Sequence, residues 1–261
     1  MSEWTGAVAI ARDGTRTALA RPWVPEAPVA FEFNGLAYAV MMATPANLAD
    51  FATGFALSEG LIASTHDLSN LGIAELPDGW IVRATLAGLG IDKLTERVRA
   101  RVAESSCGLC GIENLAEVAR PLPPVAPHAA IAPEAIFAAL EELPEGQELN
   151  RATGAAHAAA WCTPAGRIAE LREDVGRHNA LDKLIGAMAR AEWELEGGFV
   201  LSTARCSYEI VEKSVRCGAT TLVTVSLPTS LAVERAQAAG LSLWVLARDD
   251  SVTLVNDGST A

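Results

Sequence analysis

Two cysteines two residues apart form the densest concentration of reactive side chains in the sequence. Cys107 and Cys110 are each followed by glycine, in the stretch Ser105-Ser106-Cys107-Gly108-Leu109-Cys110-Gly111. Glycines allow tight turns that point backbone N–H groups inward, and such concavities favour an anion. A helix predicted over residues 112–119 would put Cys110 near a helix N-terminus, where the dipole lowers a thiol pKa. The stretch therefore predicts a reactive sulfur, present as a thiolate or a persulfide.

Three kinds of site use a Cys-x-x-Cys pair. A structural zinc site needs a second pair of ligands, but Cys162, Cys206 and Cys217 stand alone in the sequence. A thioredoxin-like redox centre should follow a strand, whereas a charged helical stretch over residues 91–103 precedes this pair. A sulfur carrier would hold a sulfane sulfur on one thiol as a persulfide and pass it on. The pair alone does not choose among the three.

A second polar cluster, Glu173-Asp174-Val175-Gly176-Arg177-His178-Asn179, lies between a predicted strand and a helix predicted over 180–191. Asp174 can serve simply as a turn residue at the start of this helix. In the functional alternative, Arg177 and His178 bind an anionic ligand, because a helix N-terminus and a guanidinium group suit phosphate. His157, alone in an alanine-rich strand, is expected to be a core histidine, with a place in the same pocket as its alternative.

The composition is that of an ordinary soluble globular protein. The 261 residues, 50% of them hydrophobic and 20% charged, suffice for one large domain or two smaller ones. A formal net charge of −12 without a Lys/Arg cluster argues against a nucleic-acid partner. No signal peptide and no apolar run near ~18 residues is found, which predicts a cytoplasmic protein without membrane contact. The five cysteines lack the spacing of a disulfide framework, so no structural disulfide is expected.

The first half of the chain, residues 1–120, is predicted to be a smaller α+β domain that ends in the cysteine loop. Asn34-Gly35 between two apolar runs predicts a β-hairpin. Thr44 before Pro45 predicts a helix start, and Gly60 predicts the end of that helix. Five prolines over residues 121–133 predict a connector, which places the domain boundary after residue 120.

The second half, residues 121–261, is predicted to be an α/β domain. After a helix and a strand pair, strands and helices alternate, with strands predicted over 198–202, 220–226 and 241–247 and helices over 207–217 and 229–239. Apolar strands linked by helices pair in parallel, and ligands in such sheets lie beyond the carboxyl ends of the strands. Polar or turn-forming residues follow each strand, as in Ser202-Thr203-Ala204-Arg205. A ligand site is therefore expected at this edge.

These motifs together resemble the formate dehydrogenase accessory sulfurtransferase family, FdhD. The resemblance rests on the cysteine stretch, on Thr153-Gly154-Ala155-Ala156-His157-Ala158-Ala159-Ala160, on the polar cluster extended to Lys183, and on Arg205-Cys206-Ser207-Tyr208-Glu209 with Lys213. The early stretches Asn34-Gly35 through Met41-Met42, Gly54-Phe55 and Ser58-Glu59-Gly60 look similar as well. The resemblance runs in order over nearly the whole chain, and the combination of motifs is far more specific than any one of them.

The resemblance implies a cytoplasmic sulfur carrier. Such a protein takes sulfur from a cysteine desulfurase and passes it to the molybdenum cofactor, bis-molybdopterin guanine dinucleotide, before the cofactor enters formate dehydrogenase. The family's persulfide residue falls on Cys107, and Cys110 is the second thiol of the pair. The resemblance also implies a homodimer whose second half is cytidine-deaminase-like.

The family's guanine-nucleotide segment falls on Leu246-Ala247-Arg248-Asp249-Asp250-Ser251, where this chain has Asp250-Ser251 in place of a common Gly-Arg pair. A zinc deaminase would need H-x-E and P-C-x-x-C, but His157 is followed by two alanines, and Cys107 is preceded by Ser106 instead of proline. The general base is absent, and no stoichiometric zinc is expected. The remaining alternatives are a non-catalytic chaperone of the molybdenum cofactor and a thiol–disulfide oxidoreductase.

Overall fold

The computed structural model describes residues 7–19, 21–88, 90, 94–95, 121–193 and 197–260. Cys107, Cys110 and the helix predicted after them lie outside the described residues, as does nearly all of the helix predicted before them. The described ranges combine helices with three separate sheets, which confirms the mixed α/β class.

The first half contains a two-stranded ribbon and a four-stranded sheet. Asn34 and Gly35 have φ angles of 52° and 78°, the left-handed conformations that a type I′ turn requires, so the predicted hairpin is confirmed. The ribbon pairs β1 (Val8–Ile10) with β2 (Arg16–Ala18). The sheet has the order β4-β3-β6-β5 and is formed by β3 (Ala27–Phe33), β4 (Leu36–Ala43), β5 (Leu68–Leu76) and β6 (Gly79–Leu86).

The first helix, α1 (Leu48–Ser58), covers one face of this sheet. Its two phenylalanines, Phe51 and Phe55, pack on Phe31 of β3 with ring centroids 5.0 Å and 4.9 Å apart. Both are buried, as expected for the apolar stripe of an amphipathic helix. A single 3₁₀ turn, Thr65–Asp67, follows before β5.

The predicted helix start at Thr44 and Pro45 is wrong, since α1 begins three residues later, after Asn47. The reason is tertiary. The Thr44 N–H donates to Asp174 Oδ2 at 3.0 Å, and the Thr44 carbonyl oxygen accepts from Lys183 Nζ at 2.8 Å. The Thr44 hydroxyl oxygen, which would have to cap the helix, accepts instead from the Val175 N–H at 3.1 Å, so Thr44 is held by the second half of the chain.

A six-stranded sheet of order β12-β11-β10-β9-β7-β8 forms the second half. Its strands are β7 (His157–Cys162), β8 (Ile168–Asp174), β9 (Phe199–Ser202), β10 (Thr221–Thr224), β11 (Ser242–Val245) and β12 (Thr253–Asn256). Strands β9, β10 and β11 are parallel, as predicted, whereas β7 runs antiparallel to both β8 and β9. The helices are α2 (Pro133–Gly146), α3 (Glu148–Thr153), α4 (Arg177–Arg190), α5 (Tyr208–Arg216) and α6 (Ser230–Ala239).

The proline-rich stretch over 121–132 contains no helix or strand, but it packs on the second half. The Val125 N–H donates to the Ala239 carbonyl oxygen at 2.9 Å, and His128 Nε2 lies 2.9 Å from Ser242 Oγ. The domain boundary after residue 120 stays a prediction.

Helices α1 and α4 join the two halves by crossing with their backbones in contact. A Cβ atom at Gly54 would overlap the backbone carbonyl oxygen of Asp182, and one at Gly186 would overlap that of Asp50. Only glycine permits so close an approach at these two positions. The crossing fixes α4, and therefore the polar residues at its N-terminus, relative to the first half.

Candidate functional site

Four strands of the six-stranded sheet end at one edge, and three helices begin there. Because β7 is antiparallel to both β8 and β9, strand β8 points in the same direction as β9, β10 and β11. Helix α4 starts just after β8, α5 starts after β9, and α6 starts after β10. Helix N-termini carry partial positive charge and unpaired N–H groups, so this edge is suited to a negatively charged ligand.

The polar cluster over 173–179 divides into a buried part and a part at the edge. Asp174 is fully buried, and its carboxylate accepts from Lys183 Nζ at 2.5 Å, from Asn179 Nδ2 at 3.0 Å and from the Gly176 N–H at 2.7 Å. Asn179 Nδ2 also donates to the Met42 carbonyl oxygen at 2.8 Å. These residues bind the first half to the second. The Asx turn expected at Asp174 is present, although its larger role is this connection.

Arg177 and His178 are the members of the cluster that reach the edge, and they form the first turn of α4 rather than the loop before it. His178 Nε2 lies 3.0 Å from Glu209 Oε2 and 3.4 Å from Ser207 Oγ, at the start of α5. The hydrogen bond from His178 lowers the pKa of Glu209, although burial opposes this shift. The N-termini of α4 and α5 are thus tied together.

His157 lies at the amino end of β7, directly opposite Asp174 of β8. It is half-buried rather than part of the core, so the structure departs from the core histidine expected from the sequence. Its Nδ1 is 3.4 Å from Thr203 Oγ1. Burial lowers the pKa of His157, and its electrostatic interactions with the nearby Arg177 and His178 lower it further. His157 therefore lies close to Arg177 and His178, in line with the alternative expectation for this residue.

Lys213 belongs to a buried ionic cluster instead of the edge. Its Nζ donates to both carboxylate oxygens of Asp182, at 2.9 Å and 3.0 Å, to Ser58 Oγ at 2.8 Å and to Glu59 Oε1 at 3.2 Å. Burial alone would lower the pKa of Lys213, but the carboxylates of Asp182 and Glu59 outweigh burial and raise it. The cluster joins α1, α4 and α5 and holds the helices that present the edge.

The segment over 246–251 lies at the same edge, after β11. Leu246 has a φ of 51°, a left-handed conformation that is strained for a leucine. The Ala247 N–H donates to the Thr224 carbonyl oxygen at 3.2 Å, which holds the segment beside the end of β10. Residues 248–251 are exposed, and the Arg248 N–H closes a turn by donating to the Ser251 carbonyl oxygen at 2.8 Å. Three strand spacings, roughly 14 Å at ~4.8 Å each, separate β11 from β7.

The three cysteines that the structure describes are poor nucleophiles. Cys162, Cys206 and Cys217 are free thiols, and the first two are fully buried. Burial raises the pKa of Cys206 and of Cys217 to about 12 and raises that of Cys162 further. At a pKa of 12, only about one thiol in 10⁵ is a thiolate at pH 7.

Sequence reasoning assigned no role to Glu209, although its position was informative. An acidic residue in the first turn of a helix that follows a polar strand end is a candidate partner for a neighbouring cation. Over the ranges that the structure covers, no group of three or more His, Cys, Asp or Glu side chains could hold a metal ion. No helix among those residues combines the length and apolar character needed to cross a membrane.

Comparisons with known proteins give one consistent result. A model of the FdhD/NarQ family matches residues 24–259. The sulfur carrier protein FdhD of Variovorax paradoxus is 46% identical over 235 residues, 90% of this chain and 84% of that protein. The sulfur carrier protein FdhD of Cupriavidus necator is 45% identical over 218 residues, 84% and 76% of the two chains. A crystal structure of a formate dehydrogenase accessory protein from Desulfotalea psychrophila shares the fold, with a TM-score of 0.74, 22% identity and coverage of 96% and 94%.

Proposed function

Since the chain belongs to the FdhD/NarQ family, we propose that it is a sulfur carrier that serves formate dehydrogenase. The names of its relatives support this role, because proteins 41–46% identical over most of the chain are sulfur carrier proteins. The proposal names Cys107 as the residue that carries sulfur and a cysteine desulfurase as the donor. It places the transfer in the cytoplasm, where thiols remain reduced.

The proposed chemistry begins with the Cys107 thiolate. This thiolate attacks the terminal sulfur of a persulfide on the desulfurase, the sulfur–sulfur bond to the desulfurase breaks, and the desulfurase cysteine leaves as a thiolate. Cys107 then holds the sulfane sulfur as a persulfide until it is passed to the acceptor. Cys110 is near enough in sequence to attack this persulfide, release sulfide and close a disulfide, so a carrier must limit that side reaction.

The properties of the other cysteines support Cys107 in this role. Cys162, Cys206 and Cys217 have raised pKa values because of burial, and a sulfur carrier needs an accessible thiolate. The glycine-flanked pair Cys107 and Cys110 provides the only other thiols in the sequence. This elimination is the observation on which the assignment depends most.

The proposed acceptor is the molybdenum cofactor, bis-molybdopterin guanine dinucleotide, bound as a substrate at the edge of the six-stranded sheet. Helix N-termini and cationic side chains there suit its phosphates, and the segment over 246–251 is the proposed contact for guanine. We further propose a homodimer, a cytidine-deaminase-like second half and no stoichiometric zinc. Calorimetry with GDP tests whether a guanine nucleotide binds at this edge. Elemental analysis tests for zinc, and about one zinc per chain would contradict the carrier chemistry.

Complementation tests the function. A strain that lacks its own carrier is supplied with the wild-type chain or with Cys107→Ser, and formate oxidation is measured, with protein amounts checked by immunoblot. We expect Cys107→Ser to abolish activity, Cys110→Ser to do less harm, and Cys162→Ser, Cys206→Ser and Cys217→Ser to retain most of it. Full activity of Cys107→Ser would leave a non-catalytic cofactor chaperone as the better explanation.

A further inference from the structure

One side of the four-stranded sheet is left open by the helices and strands that the structure describes. Helix α1 covers the other side, on which Val29, Phe31 and Val82 are fully buried. In a sheet that is covered on one side only, the outward positions are normally polar. Here the outward positions nearest the β5–β6 turn are apolar instead. They form a surface that we call the open face, and its side chains are Ala30, Val40, Met42, Ala74, Leu76 and Ile81.

The strand register places these side chains in two adjacent rows. The first row crosses all four strands, and its members in strand order are Val40, Ala30, Ile81 and Ala74. The second row runs from Met42 on β4 to Leu76 on β5. Val40, Met42 and Leu76 are 67%, 51% and 50% exposed. A contiguous exposed apolar surface of this kind marks an interaction site.

The open face is electrically neutral. The next row of the sheet carries two charges, but Arg83 Nε donates to Glu32 Oε2 at 3.2 Å, so these charges cancel. Glu75 lies opposite Trp80, on the α1 side. Glu26 and Asp78 are exposed at the ends of the strands, where solvent screens them. In a chain with a net charge of −12, a second copy is repelled by most of the surface, so a neutral apolar face is the surface that suits it.

The size of the outward side of the sheet also suits a second copy. Four strands at ~4.8 Å spacing and eight residues at ~3.3 Å rise span roughly 19 Å by 26 Å, about 500 Å² of flat area. The relief of the side chains raises the accessible area toward the ~800 Å² that each partner of a stable complex buries. An interface has an apolar centre and a polar rim. The open face supplies the centre, and the pair of Glu32 and Arg83 supplies part of the rim.

We propose that the open face is the contact surface between two copies of this chain. A two-fold axis relates the copies, so that the same face of each packs on the other in the manner of two stacked sheets. The inference rests on the homodimer of the proposed function and names the surface that forms it. The sulfur chemistry has no part in it.

Light scattering after size-exclusion chromatography measures the mass of the full chain in solution. We expect the wild type at about 50 µM to show twice the 27.3 kDa of one chain. Val40→Glu should weaken the association by about a hundredfold or more, because a two-fold contact buries the new carboxylate of both copies. Met42→Glu is a second variant with the same expectation. The matched control is Leu254→Glu on β12 of the other sheet, where the leucine is 41% exposed, and it should leave the mass unchanged.

Methionine oxidation locates the contact independently of mass. Met42 is half-exposed within one chain, so dilute hydrogen peroxide should oxidise it at least about threefold more slowly in the wild-type dimer than in monomeric Val40→Glu. Met188 is buried in the core and should react at the same slow rate in both proteins. Circular dichroism checks that Val40→Glu is folded, as expected for a position that is exposed within one chain. An equal rate at Met42 in the two proteins would contradict the contact.

Three results would overturn the open face as the dimer contact. A wild-type dimer that persists in both Val40→Glu and Met42→Glu would place the contact elsewhere and leave the homodimer standing. A wild type that is monomeric at about 50 µM would overturn the homodimer as well. If, in addition, Val40→Glu lost formate oxidation in the complemented strain, the open face would bind a different protein. Persulfide formation on Cys107 of a monomeric variant tests the carrier function separately, so the two proposals can fail independently.

Discussion

Replacement of Lys213 by methionine should destabilise the protein severely without altering the chemistry at the edge. Lys213 and Asp182 have side chains that are 11% and 1% exposed, and they form two hydrogen bonds to each other inside the α1–α4–α5 joint. Methionine preserves most of the volume but leaves Asp182 buried with only the Ser58 hydroxyl, which donates at 2.7 Å. The expected loss in the free energy of unfolding is therefore the cost of burying the Asp182 carboxylate without an opposite charge.

The magnitude follows from the separation of the charges. At an effective dielectric constant of about 20, two unit charges 2.9 Å apart attract by roughly 6 kcal/mol before desolvation is counted. Removal of one partner of a buried ion pair lowers the free energy of unfolding by about 3–5 kcal/mol. Since Asp182→Asn removes the stranded charge, the double variant Asp182→Asn/Lys213→Met should recover about half of that loss or more.

Urea unfolding followed by circular dichroism measures these differences. The control is Arg83→Met, which breaks the exposed pair between Arg83 and Glu32, and its effect should stay below about 1 kcal/mol. The reasoning fails if Lys213→Met changes the free energy of unfolding by less than about 1 kcal/mol, or if the double variant is less stable than the single one. A stable Lys213→Met protein that no longer transfers sulfur would move Lys213 into the functional site.

Two further outcomes are expected. Gly186→Ala should destabilise the protein by about 3 kcal/mol or more, because the new Cβ overlaps the Asp50 carbonyl oxygen. The control Gly72→Ala, with open space around the new Cβ, should leave the stability unchanged. Equal Tm values for the two variants would contradict the close crossing of α1 and α4. The pKa of His157 should lie below about 6.5 in an NMR titration and rise in Arg177→Gln. A lowered pKa means that the unfolded chain binds more protons than the folded one, so the free energy of unfolding should fall as the pH drops below about 6.5. His157→Gln should weaken this pH dependence. A measured pKa of His157 at or above 6.5 would refute the prediction.

Local sequence signals predicted much of the fold. The Asn34-Gly35 hairpin follows from the backbone conformation that its turn demands, and the parallel order of β9, β10 and β11 follows from strands linked by helices. These signals depend on residues close together in the chain, so they can be read without knowledge of the tertiary structure.

The failures arose where distant residues compete for the same groups. Thr44 is a residue type that commonly caps helices, but Asp174 and Lys183, more than 100 positions away, bind its backbone. The same contacts make Asp174 part of a buried joint, while Arg177, three residues later, faces the edge. No periodicity within the polar cluster separates these two roles, because burial is decided by where α1 crosses α4.

The candidate site was predicted in outline and not in detail. The carboxyl ends of the strands were expected to meet at one edge, and His157, Arg177 and His178 do lie near one another there. The pairing of His178 with Glu209 depends on the relative placement of α4 and α5, which sequence patterns do not encode. Cys107 and Cys110 are assigned from residue type, spacing and resemblance, since they lie outside the described residues.

Mass spectrometry of sulfur on Cys107 tests the central claim most directly. The full chain is incubated with a cysteine desulfurase and cysteine, alkylated without reductant and digested. The account predicts a gain of one sulfur atom, about 32 Da, on the peptide that contains Cys107, no gain in Cys107→Ser, and a retained gain in Cys110→Ser. Sulfur found instead on Cys162, Cys206 or Cys217, or an undiminished gain in Cys107→Ser, would contradict the claim that Cys107 carries it.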